Sequence, residues 1–256
     1  MNDGQCQSDC RWPGLPAPYD AALREAVQYI EERYRPWGIV ASGTVVRGAP
    51  DRTSDLDLCV IHGQPWRQRV QKFFSGVPAE IFVNPPASVR QYFQQEHAGG
   101  KPITAHMLAT GWVVVARHEV VHTLRREAAE WLEKPVEYPP FRAIMGRYLA
   151  AALYEDARDV AEKDPATAGM LMHEAVMAMV RHWFLQRGHF IPRNKELIRR
   201  AAELDARVGA ALAAFFTAPL ESRWELLREI ADCTIGADGF FEWETQPQEV
   251  RDAPER

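Results

Sequence analysis

The stretch WGIVASGTVVRGAPDRTSDLDLCVI, residues 37–61, predicts the fold of the N-terminal half of the chain. Two apolar runs, GIVAS and LDLCVI, have the length of buried strands, and a glycine and a polar loop separate them. Asp55 immediately precedes the second run, and Asp57 is its second residue. Because side chains two positions apart on a strand point to the same face, we expect both carboxylates to project together while Leu56 and Leu58 pack into the core.

A pair of aspartates on one strand face predicts a cation site. Two carboxylates held together repel each other, which raises the pKa of one of them unless a cation lies between them. An all-oxygen ligand pair favours Mg²⁺ or Mn²⁺ over zinc, and Mg²⁺ usually completes its shell with substrate phosphates. Two solvent-facing aspartates at a strand edge are the alternative, and the pair alone leaves this choice open.

A candidate anion site lies upstream of the aspartates, where the first strand ends. The backbone N–H groups of a turn with small hydroxyl side chains can bind phosphate, and glycine permits a close approach of the anion. Two arginines in the following loop are candidate partners for a triphosphate. The nucleotide-binding candidates in this stretch are Ser42, Gly43, Thr44, Arg47, Arg52 and Ser54.

The segment SGTVVRGAPDRTSDLDL resembles the Gly-Ser-x-x-Arg-Gly…Ser-Asp-Ile-Asp-Leu signature of the nucleotidyltransferase superfamily related to DNA polymerase β. It is similar in particular to the bacterial group of kanamycin-type and minimal nucleotidyltransferases. The order Ser42-Gly43 reverses the usual Gly-Ser, but Gly43-Thr44 keeps a glycine next to a hydroxyl. The resemblance implies an Mg²⁺-dependent site for ATP or another nucleoside triphosphate, with Mn²⁺ as a second candidate metal.

The family has a third carboxylate on a neighbouring strand, and Glu80 of AEIFVN stands at that place. The resemblance therefore implies a catalytic set of Asp55, Asp57 and Glu80, all three being candidate metal ligands. Glu80 is alternatively the general base on the attacking hydroxyl, or only the polar start of a strand. The implied reaction is an in-line displacement at the α-phosphate, in which pyrophosphate leaves.

The chain is predicted to be an α+β protein with two domains. Residues 1–18 are predicted to be a flexible lead, 19–135 a small mixed β-sheet nucleotidyltransferase domain with flanking helices, 136–243 an all-α helical bundle and 244–256 a disordered tail. The boundary rests on the proline-containing segment KPVEYPP, after which the sequence becomes alanine-rich and amphipathic. Within the first domain, residues 66–75, WRQRVQKFFS, are predicted to form a helix.

The helical half contains a further nucleotide-binding candidate. Its segment RGHFIPRNKEL resembles one in the helical domains of related bacterial nucleotidyltransferases, in which a lysine follows an aromatic-proline turn. Lys195 stands at that place and is expected to reach the triphosphate, with Arg193 as a weaker candidate; a solvated lysine is an equal alternative. The half also loosely resembles HEPN domains, some of which are RNases with an Arg-x4-6-His motif, but no arginine and histidine of this half have that spacing, and Arg117 to His122, which do, lie outside it.

Other sequence features narrow the class of protein. A formal charge of -5 gives no general attraction to nucleic acid or to an anionic membrane. Four cysteines without a Cys-x-x-Cys pair, and no apolar run long enough for a membrane span or a signal peptide, predict a cytoplasmic protein. The motif HEVVH, residues 118–122, matches the zincin pattern, but it follows a predicted strand and is interpreted as a turn.

The predicted function is transfer of a nucleoside monophosphate, AMP from ATP, to a hydroxyl group of a small acceptor. An aminoglycoside-type antibiotic, and hence antibiotic resistance, is the suggested example. A protein-modifying, antitoxin-like enzyme and a non-catalytic nucleotide-binding regulatory module are the alternatives. No nucleic-acid or membrane partner is expected, and a homodimer is left open.

Overall fold

The computed structural model describes residues 9–51 and 53–247. The chain divides between Pro135 and Val136 into two compact units, here called the N-terminal and C-terminal units. The N-terminal unit contains a mixed β-sheet with helices on both faces, and the C-terminal unit is helical. The predicted α+β fold class is therefore confirmed.

The sheet has five strands in the order β3-β4-β2-β1-β5. The strands are β1 (Gly38–Ser42), β2 (Leu56–Ile61), β3 (Gln68–Phe74), β4 (Val77–Asn84) and β5 (Trp112–Ala116). Strands β2 and β4 are parallel, and the other neighbouring pairs are antiparallel. The parallel pair lies in the interior of the sheet; β2 is buried except for the partly exposed Asp57, whereas β4 is buried on one face and partly exposed on the other.

The sheet separates two apolar layers within the N-terminal unit. One face packs against α1 (Ala17–Tyr34), whose Leu23 and Ile30 are fully buried. The other face packs against three helices. They are α3 (Pro86–Ala98), α4 (Ile103–Thr110) and α5 (Val120–Glu133). Arg125 on α5 donates to three backbone carbonyls at the end of α4, and so joins these two helices.

The prediction of a helix over residues 66–75 is wrong, because this segment forms the edge strand β3. Its turn, Ser75-Gly76, has positive φ at both residues, which is the geometry of a tight hairpin. The segment is paired with β4 over its whole length. Val70 and Phe74, which lie on the same face of the strand, contact the core beneath α1. Pairing with β4 and the tight hairpin turn outweigh the weak helical pattern of the sequence.

Residues 9–16, which were predicted to belong to a flexible lead, are anchored to the N-terminal unit. The backbone N–H of Arg11 donates to the carbonyl of Val114, and Trp12 packs against the core below the guanidinium of Arg24. This segment therefore covers the edge of β5. Helix α1 begins at Ala17, within the predicted lead. Residues 1–8 lie outside the described part of the chain.

The C-terminal unit has five α-helices within the described residues. They are α6 (Pro140–Val160), α7 (Pro165–Gln186), α8 (Leu197–Leu204), α9 (Ala206–Thr217) and α10 (Arg223–Thr234). Their apolar faces form one core around Met179, Trp183 and Phe215. Residues 244–247 have no regular structure, and the rest of the predicted tail lies outside the described residues. In the described part of the chain, no helix has the length and apolar character needed to cross a membrane.

Candidate active site

Four polar residues form a row across four neighbouring strands, which we call the polar row. Ser42 on β1 is directly opposite Asp57 on β2, Asp57 is opposite Glu80 on β4, and Glu80 is opposite Gln71 on β3. Because directly opposed residues point to the same face of a sheet, these side chains share the face covered by α3, α4 and α5. The strand pairing thus brings together three of the residues predicted from the sequence.

Gly43 comes into direct contact with the Asp57 carboxylate. It opens the short helix α2 (Gly43–Val46) and has φ of 90°, which favours glycine over other residues. A Cβ atom at this position would lie 2.7 Å from Oδ2 of Asp57, too close for any non-bonded contact. The sequence therefore needs glycine here for two reasons, namely its backbone conformation and the space taken by the carboxylate.

The loop between α2 and β2 is closed by hydrogen bonds between side chains. The hydroxyls of Thr44 and Ser54 lie 3.1 Å apart, and the Ser54 hydroxyl donates to Oδ1 of Asp51 at 3.0 Å. The backbone N–H of Thr53 donates to the same oxygen. The predicted phosphate-binding hydroxyls of Thr44 and Ser54 thus hold the loop in shape, in addition to any contact with a ligand.

Asp51 and Tyr19 are structural residues of the site that the sequence analysis missed. Besides organising its own loop, Asp51 accepts a hydrogen bond from the Tyr19 hydroxyl on α1 through its backbone carbonyl. The sequence contains a local signal for this arrangement, because an aspartate followed by Thr53 and Ser54 is typical of a side-chain-to-backbone turn. The contact with Tyr19 spans 32 residues and has no local signal.

The structure fixes the positions of the other predicted site residues less closely than those of the polar row. Asp55 is half-buried and immediately precedes β2, so strand pairing does not fix its side chain as it does that of Asp57. Arg47 is exposed at the end of α2. Arg52 lies outside the described residues. Lys195 is exposed in a 3₁₀ turn of the C-terminal unit, and its predicted contact with the triphosphate stays a prediction.

The carboxylate of Glu80 is held by the edge strand β3. Arg69 forms an ion pair with it at 2.6 Å, and the side-chain amide of Gln71 donates to its other oxygen. The side chain of Glu80 is 23% exposed and that of Arg69 is 62% exposed, so the pair lies at the border between the sheet face and solvent. Glu80 therefore has a fixed orientation on the side of the polar row away from Ser42.

A buried thiol lies beneath the polar row. Cys59 is two residues after Asp57 on the same face of β2, packed in the apolar layer below α3, α4 and α5. Burial raises the pKa of the thiol to about 12, and the negative charges of Asp57 and Glu96 add to this effect. Cys59 is therefore a neutral core residue.

The residues present fit a bound magnesium ion in part. Mg²⁺ commonly takes one or two protein carboxylates and completes its shell with phosphates and water. Asp57 meets this requirement in that its carboxylate lies against the Gly43 turn, in the space that a side chain at position 43 would take. In residues 9–51 and 53–247, no three His, Cys, Asp or Glu side chains are grouped to hold a metal ion. Glu80 has Arg69 and Gln71 as partners instead.

The HEVVH motif has the placement expected of a turn. His118 precedes α5 and stacks on Trp37 with ring centroids 4.4 Å apart, whereas His122 lies within α5. A zincin site needs both histidines on one helix so that they face one ion. The two histidines of this motif do not share a helix. The interpretation as a turn is confirmed for His118 and Glu119, whereas Val120 to His122 already belong to α5.

Comparison with known proteins gives likenesses in structure but none in sequence. No protein-family model matches the chain, and no curated protein is significantly similar to it in sequence. The chain is similar to a nucleotidyltransferase-like protein from Exiguobacterium sibiricum 255-15, with 15% sequence identity and a TM-score of 0.45. The likeness covers 84% of this chain and 73% of that protein. Similarity of this extent does not assign the chain to a family.

Proposed function

We propose that the protein is a nucleotidyltransferase that moves a nucleoside monophosphate, AMP from ATP, to a hydroxyl group of a small acceptor. The observation that carries the proposal is the contact between Gly43 and Asp57 at the end of the polar row. A carboxylate beside a glycine turn is an arrangement suited to a metal-bound phosphate chain. The motif of residues 37–61 supports the same reaction class.

Each residue of the site has a role in this reaction. Asp55 and Asp57 would hold Mg²⁺, which would neutralise charge on the triphosphate when bound. Ser42 and Gly43, with the loop that contains Arg47 and Arg52, would position the triphosphate. Their contribution is to bring the α-phosphate close to the acceptor in a fixed orientation.

Glu80 is proposed to act on the acceptor. It is adjacent to Asp57 in the sheet register but bonded to Arg69 and Gln71 on the opposite side. A carboxylate in this position can orient the acceptor hydroxyl and take its proton as the bond to phosphorus forms. We therefore assign it the role of general base in preference to that of a metal ligand. Lys195 remains a candidate for binding the triphosphate.

The identity of the acceptor separates this proposal from its alternatives. An aminoglycoside has the required hydroxyls, and a protein side chain is the acceptor in the antitoxin-like alternative. The free thiols of Cys10, Cys59 and Cys233 accord with the cytoplasmic location that we retain as part of the proposal.

The test uses ATP labelled with ³²P at the α-phosphate, Mg²⁺ and a cleared bacterial lysate, with and without an aminoglycoside panel. Wild type is compared with Asp57→Ala and with Asp20→Ala, a matched loss of a carboxylate from α1. We expect label in a small molecule, with a rate at least about hundredfold lower in Asp57→Ala only. Circular dichroism checks that both variants are folded.

Other outcomes are equally informative. Label on a protein would favour the antitoxin-like enzyme. Nucleotide binding without transfer to any fraction would favour the regulatory module. Transfer at the wild-type rate by Asp57→Ala would contradict the proposed site.

A further inference from the structure

The side of Glu80 that faces away from Asp57 is basic. Arg69 lies over the ring of Phe82, with the guanidinium carbon 4.6 Å from the ring centroid, while it bonds Glu80. Arg67, directly before β3, donates to the Tyr92 hydroxyl and lies 5.7 Å from the centroid of that ring. Both guanidinium groups are thus held against aromatic rings, which restricts their orientation.

The positive charge at this place exceeds the negative charge. Arg67 bonds a neutral hydroxyl, and within the described ranges it takes part in no ion pair. Arg69 shares the single carboxylate of Glu80, whose other oxygen is bonded to Gln71. Arg90 on α3 and Glu127 on α5 neutralise each other through two hydrogen bonds. Arg67, Arg69 and Glu80 together therefore leave about one positive charge on this side of Glu80, whereas Asp57 lies on the other side, which the proposed function assigns to Mg²⁺.

The two arginines are close enough to bind one anionic group. They are two residues apart, so their Cα atoms are at most about 7 Å apart along the chain. A guanidinium group matches the geometry of a carboxylate or a phosphate and can bind either through two parallel hydrogen bonds. Phe82 and Tyr92 hold the two groups in place before a ligand arrives, which reduces the entropy lost on binding.

We propose that the acceptor carries a phosphate or carboxylate group, which Arg67 and Arg69 bind while its hydroxyl group meets Glu80. This inference rests on the proposed function and narrows its acceptor class. A polycationic acceptor such as an aminoglycoside would bring like charge to this edge, which disfavours association. The hydroxyl and the anionic group of the acceptor are expected to be separated by a few bonds, because Arg69 contacts Glu80 directly.

The test is isothermal titration calorimetry on the full chain saturated with a non-hydrolysable ATP analogue and Mg²⁺. Filling the nucleotide site first keeps the probe from binding in the place of the triphosphate. The probes are glycerol 3-phosphate, glycerate and glycerol, which share a hydroxylated carbon chain and differ in charge. We expect one or both anions to bind at least tenfold more tightly than glycerol, and the stronger one identifies the anionic group.

The variants Arg67→Gln and Arg69→Gln are each expected to weaken anion binding about tenfold or more, the usual effect of losing a charge-assisted hydrogen bond. Arg69→Lys keeps the positive charge but loses the planar guanidinium group. Its affinity for the anion is expected to lie between those of wild type and Arg69→Gln. The matched control is Arg33→Gln on α1, which also removes an arginine held over aromatic rings but lies on the opposite face of the sheet. Circular dichroism checks that each variant is folded.

Equal binding of glycerol and the anions would overturn the inference, as would anion binding that survives both glutamine substitutions. Tight binding of an aminoglycoside with no anion binding would also overturn it. Failure of the ATP analogue to bind is a separate result. It would contradict the proposed function itself, and the inference would fall with it.

Discussion

The substitution Gly43→Ala tests whether the site depends on the close approach of α2 to Asp57. The new Cβ would lie 2.7 Å from Oδ2 of Asp57, whereas ordinary contacts begin at 3.4 Å, so one of the two must move by about 0.7 Å. The backbone also has φ of 90°, which destabilises a residue with a side chain by about 1–3 kcal/mol. Displacement of a catalytic group by about 1 Å lowers rates by roughly hundredfold.

The control separates these two effects. Gly48 has φ of 76°, but no atom of the described residues lies within 4 Å of the position of its Cβ, so Gly48→Ala carries the backbone strain without the collision. Urea denaturation should give a larger loss of unfolding free energy for Gly43→Ala, which adds the collision to the backbone strain, and transfer of labelled AMP should fall at least tenfold only in Gly43→Ala. A Gly43→Ala protein as active as Gly48→Ala would refute the reasoning.

A double-mutant cycle strengthens the same test. In an Asp57→Ala background the new methyl group meets no carboxylate, so Gly43→Ala should lose only the strain component. The difference between the two backgrounds measures the collision itself. Equal losses of unfolding free energy in both backgrounds would show that the Asp57 carboxylate does not limit the space at Gly43.

Three further predictions concern stability and reactivity. Arg125→Gln should lower the free energy of unfolding by about 1.5–3 kcal/mol in urea denaturation, because three backbone carbonyls lose a charged donor. The side chain of Arg126 is 65% exposed, so Arg126→Gln should change the free energy of unfolding by less than about 0.5 kcal/mol. Equal losses of unfolding free energy in the two variants would contradict this prediction. Burial, aided by the charge of Arg147, lowers the pKa of His182 below its ordinary value of 6.5. Because His182 is protonated more readily in the unfolded chain than in the folded one, the free energy of unfolding falls as the pH drops through 6.5. Denaturation at pH 7.5 and 5.5 should show a larger loss in wild type than in His182→Gln; parallel losses would refute this. Cys59, whose thiol has a pKa of about 12, should react with a thiol reagent at pH 8 only after denaturation, and mass spectrometry of the native protein would show rapid labelling if this is wrong.

The alternation of residues along the strands explains why part of the site was predictable from the sequence. Asp57 and Glu80 each lie between buried apolar neighbours, so strand formation alone assigns their face. The motif indicated Gly43, and the structure adds the reason for a glycine at this position, because any side chain here would collide with the Asp57 carboxylate. The apolar runs likewise predicted four of the strands and the long helices of the C-terminal unit.

The partners of Glu80 were not predictable in the same way. Arg69 and Gln71 belong to a segment whose exposed face is polar, so its burial pattern resembles that of a solvated helix as much as that of an edge strand. Their contacts with Glu80 arise from pairing between β3 and β4, which the Ser75-Gly76 turn sets in register. The Tyr19 contact with Asp51 likewise depends on the packing of α1.

The most direct test of the central claim is to follow the two ends of ATP with purified protein. ATP labelled at the α-phosphate and ATP labelled at the γ-phosphate are incubated in parallel with Mg²⁺ and glycerol 3-phosphate or glycerate. We predict that α-label appears in the acceptor and that γ-label is released as pyrophosphate in equal amount. Transfer of γ-label to the acceptor would show a kinase, and it would contradict nucleotidyl transfer at this site.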